Sequence, residues 1–371
     1  MMVIESILSY VVWSPDPAVF PGFERLRWYS LLFALGFIIS QQIMIYIYRK
    51  EGQDERLVDR LTIYMVIATI IGARLGHVLF YEPEKYLSNP IDILKVWEGG
   101  LASHGAAIAI LIALYLYARK IPTQTYLWVV DRIVIVVAMT GAMIRVGNLM
   151  NSEIGGKPTG NDSGFVFARD AEEILETLRI PVESVNAYRP DNRQEELNGN
   201  GIVPVNFEIK IEKGGYSESD LRTALETDVK YVLTRFKSSQ KYLSEDPSSP
   251  LKMDLSDRGD HYLATIYTQG VVRHPTQIYE AISYFIIFLI LYLTWNRYKS
   301  RLPDGLFLGF FLVSVFGMRF IWEFLKENQV EFEEGLAFNM GQALSIPLVI
   351  GGLVLMGLAL KKGFKPESEK S

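Results

Sequence analysis

The chain has 371 residues and no cysteine. Disulfides, thiol nucleophiles and Cys-based metal sites are thereby excluded. A Gly-rich phosphate loop, a zinc signature and a Ser nucleophile elbow are also missing, which leaves an intramembrane metalloprotease without support. No internal repeat relates the apolar segments, and this argues against an inverted-repeat transporter. Residues Met1 to Gly22 have no basic n-region, so they do not read as a cleaved secretory signal. The net charge is −5, and nothing in its distribution points to a nucleic-acid partner.

What the chain does have is long apolar runs. Hydrophobic residues make up 49% of it, a share that would suit a soluble protein. Their concentration decides the class, because blocks of about 20 residues match a hydrocarbon core of ~30 Å. Spans are expected at 29–48, 60–81, 101–118, 127–149, 278–296, 305–325 and 342–360. The fold class is therefore an all-α polytopic membrane protein with about seven transmembrane helices. Segment 101–118 is short, and Arg74 and Arg145 interrupt two others. The apolar stretch Val3–Trp13, closed by Ser14-Pro15-Asp16-Pro17, reads as lying along the membrane surface.

Basic residues set the expected orientation. Arg49, Lys50, Arg56 and Arg60 follow the first span, Arg119 and Lys120 the third, and Arg297, Lys299 and Arg301 the fifth. The tail adds Lys361, Lys362, Lys365 and Lys370, while the alternate loops are poorer in Lys and Arg. The N-terminus then lies outside and the C-terminus in the cytoplasm. The organisation reads as a surface segment 1–28, four spans in 29–156, an extracytoplasmic insertion 157–272, three spans in 273–361 and a cytoplasmic tail 362–371.

The insertion holds 14 Lys/Arg and 20 Asp/Glu, so it carries about −6 and the membrane part about +1. Its pattern is that of a small α/β module. Pro204–Glu212 alternates apolar and polar residues as a half-buried strand does. Ser217 reads as the N-cap of a helix over 218–237. A helix is expected at 170–179, a second strand at His261–Thr268, and a turn at Asn198–Gly201.

Several spans carry charge where lipid penalises it by at least ~2.5–3.5 kcal/mol per group. Arg145, Asn148 and Ser152 share one helical face, and Glu153 follows. Arg145 either forks onto a phosphate or carboxylate, or pairs with Glu153 to fix helix packing. In the sixth span Arg319 and Glu323 are i, i+4 neighbours, an anion site or a structural pair. His104 follows Gly99 and Gly100 at the mouth of the third span and either takes a proton, binds a lipid phosphate, or caps a nearby carbonyl. Arg74, between Gly72 and Gly76, reads more readily as a tie to a neighbouring helix end. The run Arg273–Glu280 opens the fifth span, with Pro275 and Glu280 placed as helix-start residues.

Taken together, these blocks resemble the bacterial prolipoprotein diacylglyceryl transferase family. The resemblance rests on Arg27-Trp28-Tyr29-Ser30, Gly72–Gly76, Trp97–Gly105, Arg145-Val146-Gly147-Asn148 with Asn151-Ser152-Glu153, Arg273–Glu280, Arg319–Glu323 and Gly341–Ser345. It covers the chain apart from the N-terminal stretch and the insertion. It implies transfer of a diacylglyceryl group from phosphatidylglycerol to the lipobox cysteine thiol of a prolipoprotein signal peptide, with release of glycerol phosphate, in the bacterial inner membrane and without a cofactor. It further implies His104, Arg145 and Arg319 as catalytic residues, His104 as base or ligand. Tyr29, Gly100, Asn148, Glu153, Glu323 and Arg273 are implied in substrate binding. Two departures stand out. Val315 occupies a position where many members carry Tyr, and the segment between Glu153 and Arg273 is longer than in most members. The alternative is a non-enzymatic seven-span lipid-binding receptor or flippase using the same arginines.

Overall fold

A computed structural model describes residues 10–20, 22, 26–96, 99–327 and 338–364, the side chains of Gln194 and Glu195 excepted. Three expectations fall partly outside those residues: the start of the Val3–Trp13 stretch, Trp97 and Glu98 of the Gly-rich block, and the basic tail from Lys365 onward.

In chain order the elements are β1 (Val11–Trp13), α1 (Trp28–Lys50), α2 (Arg56–Phe80), α3 (Pro83–Ser88), α4 (Ser103–Arg119), α5 (Tyr126–Met150), β2 (Phe165–Phe167), α6 (Arg169–Leu175), β3 (Val182–Tyr188), β4 (Ile202–Glu212), α7 (Glu218–Arg235), α8 (Lys237–Tyr242), β5 (Lys252–Asp257), β6 (His261–Val271), α9 (Thr276–Tyr298), α10 (Leu306–Trp322) and α11 (Met340–Lys362). Among the described residues six helices, α1, α2, α5, α9, α10 and α11, are long and apolar enough to cross a membrane. Helix α4 is apolar but has only 17 residues, whereas each of the six reaches 20 or more once the turn after α10, to Leu325, is counted. The chain divides into two compact units, one of helices alone and one that holds the sheet.

The helical unit comprises Phe33–Ile144, Ala281–Phe320 and Met340–Ser371. Its core runs through Met44, Tyr48, Leu61, Leu114, Tyr117, Ile135, Phe288, Leu291 and Trp295. Outside that core, Ile63, Ile67, Ile70, Ile71, Ile108, Ile112, Leu353 and Val354 are exposed, an apolar exterior suited to lipid. Small residues bring helices close. Added side chains at Gly72 or Gly76 of α2 would overlap Gly105 and Ala106 or Ala102 of the α4 segment, and Gly309 and Gly352 face each other in the same way between α10 and α11. Asp131 of α5 accepts from the backbone N–H groups of Gly305 (2.7 Å) and Leu308 (2.8 Å), which caps the start of α10.

One buried ion pair ties this unit together. Glu51, just past α1, takes two hydrogen bonds from Arg132 at 2.7 and 3.1 Å. The indole N–H groups of Trp128 (3.1 Å) and Trp295 (2.6 Å) complete its shell, and both charged side chains are sealed from solvent. Such a carboxylate is tolerable only because every lone pair is used.

The second unit comprises Met1–Leu32, Arg145–Glu280 and Ile321–Asn339. Its four-stranded sheet has the order β3-β4-β6-β5, antiparallel throughout, so the module is α+β in arrangement rather than the α/β type expected. Val203, Val205, Phe207, Ile209 and Ile211 alternate along β4 and are buried with Leu221, Leu225, Val229 and Leu233 of α7. Ser217 caps α7 through a reciprocal box with Asp220. Strands β3 and β5 escaped the sequence reading because Val182–Tyr188 and Lys252–Asp257 are short and carry polar residues on both faces.

The N-terminal stretch departs from expectation. Val11–Trp13 pairs in parallel with Phe165–Phe167, and the Trp13 indole donates to the carbonyl of Leu149 at 2.8 Å. This end of the stretch is therefore a short strand paired within the protein. Its backbone groups find partners in the insertion, which sequence could not reveal because the pairing spans about 150 residues of chain.

Glu172 of α6 is buried beside Ala187, whose N–H it accepts at 2.5 Å. Burial pushes its carboxyl up to about 7, against the pull of that hydrogen bond, Ser14 and Arg169.

Two outcomes follow from these packed charges. Arg132→Ala strands Glu51 in the core and should destabilise the protein by about 3–5 kcal/mol. The unfolding midpoint of the purified protein in detergent reads this, and an unchanged midpoint would show that Glu51 does not depend on Arg132. For Glu172, the folded protein holds a proton that the unfolded chain releases above its ordinary value. Stability should therefore fall as pH rises from about 4.5 to 7, by an amount on the order of 1–3 kcal/mol. Glu172→Gln should flatten that slope in unfolding curves taken across this range; a variant with the wild-type slope would assign it elsewhere.

Candidate active site

The sheet-bearing unit gathers most of the polar residues that sequence singled out. Helix α5 ends with a Schellman turn: the N–H of Ser152 donates to the carbonyl of Leu149 (3.0 Å) and that of Glu153 to the carbonyl of Asn148 (3.1 Å). This turn requires a left-handed residue where glycine is usual, and Ser152 supplies it at φ 54°. Ile154 follows at φ 60°, a costly conformation for a β-branched side chain. The result is a reversal that points Glu153 back at its own helix. Asn148 donates to the Glu153 carboxylate at 2.7 Å, and Asn151 donates at 3.3 Å. The Arg145 guanidinium reaches the Asn148 side-chain oxygen at 3.3 Å. Arg145 and Glu153 are thus linked through Asn148.

Helix α9 holds this reversal in place. Gln277 donates to the Glu153 carbonyl at 2.7 Å, and Thr276 to the Ile154 carbonyl at 3.0 Å. One turn on, Glu280 is fully buried. Its carboxylate pairs with Arg145 Nε at 3.1 Å on one oxygen and with Lys326 Nζ at 2.8 Å on the other. Lys326 also reaches Glu323 at 3.2 Å, and Asn339 donates to the second Glu323 oxygen at 3.2 Å. A chain of alternating charge runs Arg145, Glu280, Lys326, Glu323. Tyr29 lies within electrostatic reach of both Arg145 and Glu153, and its ring packs so closely on Gly147 that a side chain there would overlap it.

Arg273 is buried by different partners. It donates to the Lys241 carbonyl at 2.6 and 3.1 Å, to the Gly156 carbonyl at 2.9 Å and to Glu327. It therefore ties α8 of the insertion to the segment after α5. Gly156 threads this crossing: an added side chain would collide with His274 and the Leu325 carbonyl. Burial pushes the His274 imidazole below its ordinary value.

Gly100, His104 and Arg319 belong to the helical unit. His104 is the second residue of α4, exposed, with its ring against Phe80 (5.1 Å) and Tyr81 (5.8 Å). Gly100 sits at φ 70°, where a side chain would strike His77 and Arg74. Arg74 explains that tightness: it donates to the carbonyls of Asp92 (2.5 Å), Ile93 (2.9 Å) and Gly99 (2.6 Å) and shapes the loop that leads into His104. Arg319 is half-buried in the last turn of α10.

A family model described as prolipoprotein diacylglyceryl transferase matches residues 17–358. The chain belongs to that family. It is 35% identical to a phosphatidylglycerol–prolipoprotein diacylglyceryl transferase of Tolumonas auensis, over 94% of this chain and 98% of the relative. It is equally similar, at 35%, to one of Porphyromonas gingivalis (95% and 96%), and 33% identical to one of Chloroherpeton thalassium (95% and 96%). In this diacylglyceryl transferase family member Val315 is packed in the hydrophobic core, so no hydroxyl stands at the position where many members have Tyr.

Sequence reading missed Glu280 and Lys326. The sequence places Glu280 as a helix-start residue. The available signal was the crowding of ionisable residues at the ends of apolar segments, which says that partners exist but not which ones.

Proposed function

We propose that this enzyme, a diacylglyceryl transferase using phosphatidylglycerol, alkylates the thiol of a lipobox cysteine in a prolipoprotein signal peptide. The match to the transferase family over residues 17–358 carries this reading. The thiol sulfur attacks the glycerol carbon that bears the phosphate, the carbon–oxygen bond breaks, a thioether forms and glycerol phosphate leaves. The nucleophile belongs to the substrate, so a chain without cysteine suffices. The leaving phosphate gains negative charge, and Arg145 and Arg319 stabilise it. Arg145 is suited to this because Glu280 and Asn148 fix its orientation before substrate arrives. His104 accepts the thiol proton or holds the headgroup. Tyr29, Asn148 and Glu153 position the headgroup, Gly100 leaves room at the loop before His104, Glu323 balances charge, and Arg273 supports the site from the insertion side.

In the membrane, α4 completes a set of seven spans. The N-terminus and the insertion face outward and the tail faces the cytoplasm. The insertion admits the protein substrate and takes no part in the chemistry.

Purified enzyme supplied with phosphatidylglycerol and a lipobox peptide should raise the peptide mass by a diacylglyceryl group. No mass gain would favour a lipid-binding receptor or flippase. Arg145→Ala and Arg319→Ala should each cut turnover about 10²–10³-fold while the proteins still insert. Lys at either position should restore little, since it lacks the planar fork. Near-normal transfer by Arg145→Ala would remove that residue from the phosphate. A tag inserted within Asp191–Gly201 should be accessible to impermeant reagents from outside and a reporter after Lys362 should be cytoplasmic. Labelling of the insertion from the cytoplasmic side would invert the topology.

A further inference from the structure

Glu280 and Lys326 touch residues given roles in transfer, and they are among the most deeply buried charges described. Glu280 is 0% exposed and Lys326 4%. The two lie 46 residues apart in sequence and meet at 2.8 Å. Each has a second charged partner: Arg145 Nε for Glu280, at 3.1 Å, and Glu323 for Lys326, at 3.2 Å. The four charges cancel, and Asn148 and Asn339 extend the chain at its two ends.

We propose that Lys326 and Glu280 are positioning residues that set the orientation of Arg145 for the transfer step. This rests on the reading of the chain as a diacylglyceryl transferase with Arg145 at the phosphate. A guanidinium has five donors in a rigid plane, and an acceptor on Nε fixes the direction of the rest. Glu280 is the counter-ion beside that Nε, at 3.1 Å. A lone buried carboxylate would slide toward whichever cation is nearest, and Lys326 anchors its other oxygen. Lys326 therefore acts on Arg145 through Glu280. It also draws in Glu323, so one ammonium holds carboxylates from α9 and from the turn that follows α10. Among the described residues, the charges facing Lys326 are Glu280 and Glu323, and those facing Glu280 are Arg145 and Lys326.

A structural salt bridge and a positioning device predict different results. Glu280→Asp keeps the charge and draws the carboxylate back by one methylene. Positioning predicts that turnover falls about 10–100-fold at nearly constant KM for phosphatidylglycerol, with the unfolding midpoint little changed. Lys326→Met should lower both stability and turnover, and Lys326→Arg should recover turnover. The combined Glu280→Gln, Lys326→Met protein removes both charges and should regain stability. Its turnover should stay low, because Arg145 loses its anchor. Wild-type turnover in Glu280→Asp, or recovery of turnover along with stability in the combined variant, overturns the proposal. Failure of the wild-type protein itself to modify a lipobox peptide would instead overturn the transferase reading.

Discussion

A charge in an apolar helix bundle must be neutralised by a partner of opposite sign that is already there when the bundle closes. That constraint organises both units of this enzyme. In the helical unit Glu51 is surrounded by Arg132 and two indole N–H groups. In the sheet-bearing unit Arg145, Glu280, Lys326 and Glu323 form an alternating chain. Removing one member leaves the next buried and unsatisfied, so each group is fixed by the desolvation of its neighbours.

The two clusters are built differently. Glu51 receives four hydrogen bonds from Arg132, Trp128 and Trp295, which suits a purely architectural pin. The Arg145 chain is built on an unfavourable backbone. Ser152 and Ile154 both adopt left-handed conformations, and the reversal is held by Gln277 and Thr276. Strain of this kind persists only where surrounding contacts impose it, and here it returns Glu153 to Asn148 beside Arg145.

The sheet-bearing unit braces the end of α5 through long-range contacts. Arg273 joins α8 to Gly156 and Glu327, and Trp13 joins the strand at the N-terminus to the end of α5. The module has its own core along β4 and α7. A folded module with these ties gives the end of α5 a fixed frame, which a flexible loop would not provide.

Much of this was legible in the sequence. Twenty-residue apolar blocks announce spans because lipid offers no partner to the backbone, and all but the short α4 are long enough to cross. The alternation of Pro204–Glu212 and the Ser217 cap are local signals, and both elements formed where they were read. Motif order alone pointed to the transferase family. Pairing is where local reading stops. The sequence places Arg145 beside Asn148 and Glu153, but the partner on its Nε is Glu280, and the cation that anchors Glu280 is Lys326, far along the chain. Short polar strands such as β3 and β5, and the junction of Val11–Trp13 with Phe165–Phe167, depend on hydrogen bonds whose other half is equally remote. Composition and periodicity determine which segments must be buried, since burial is a property of each segment's own surface. Which buried charge meets which is decided only by tertiary structure, because neutralisation depends on distances of about 3 Å that chain separation does not encode.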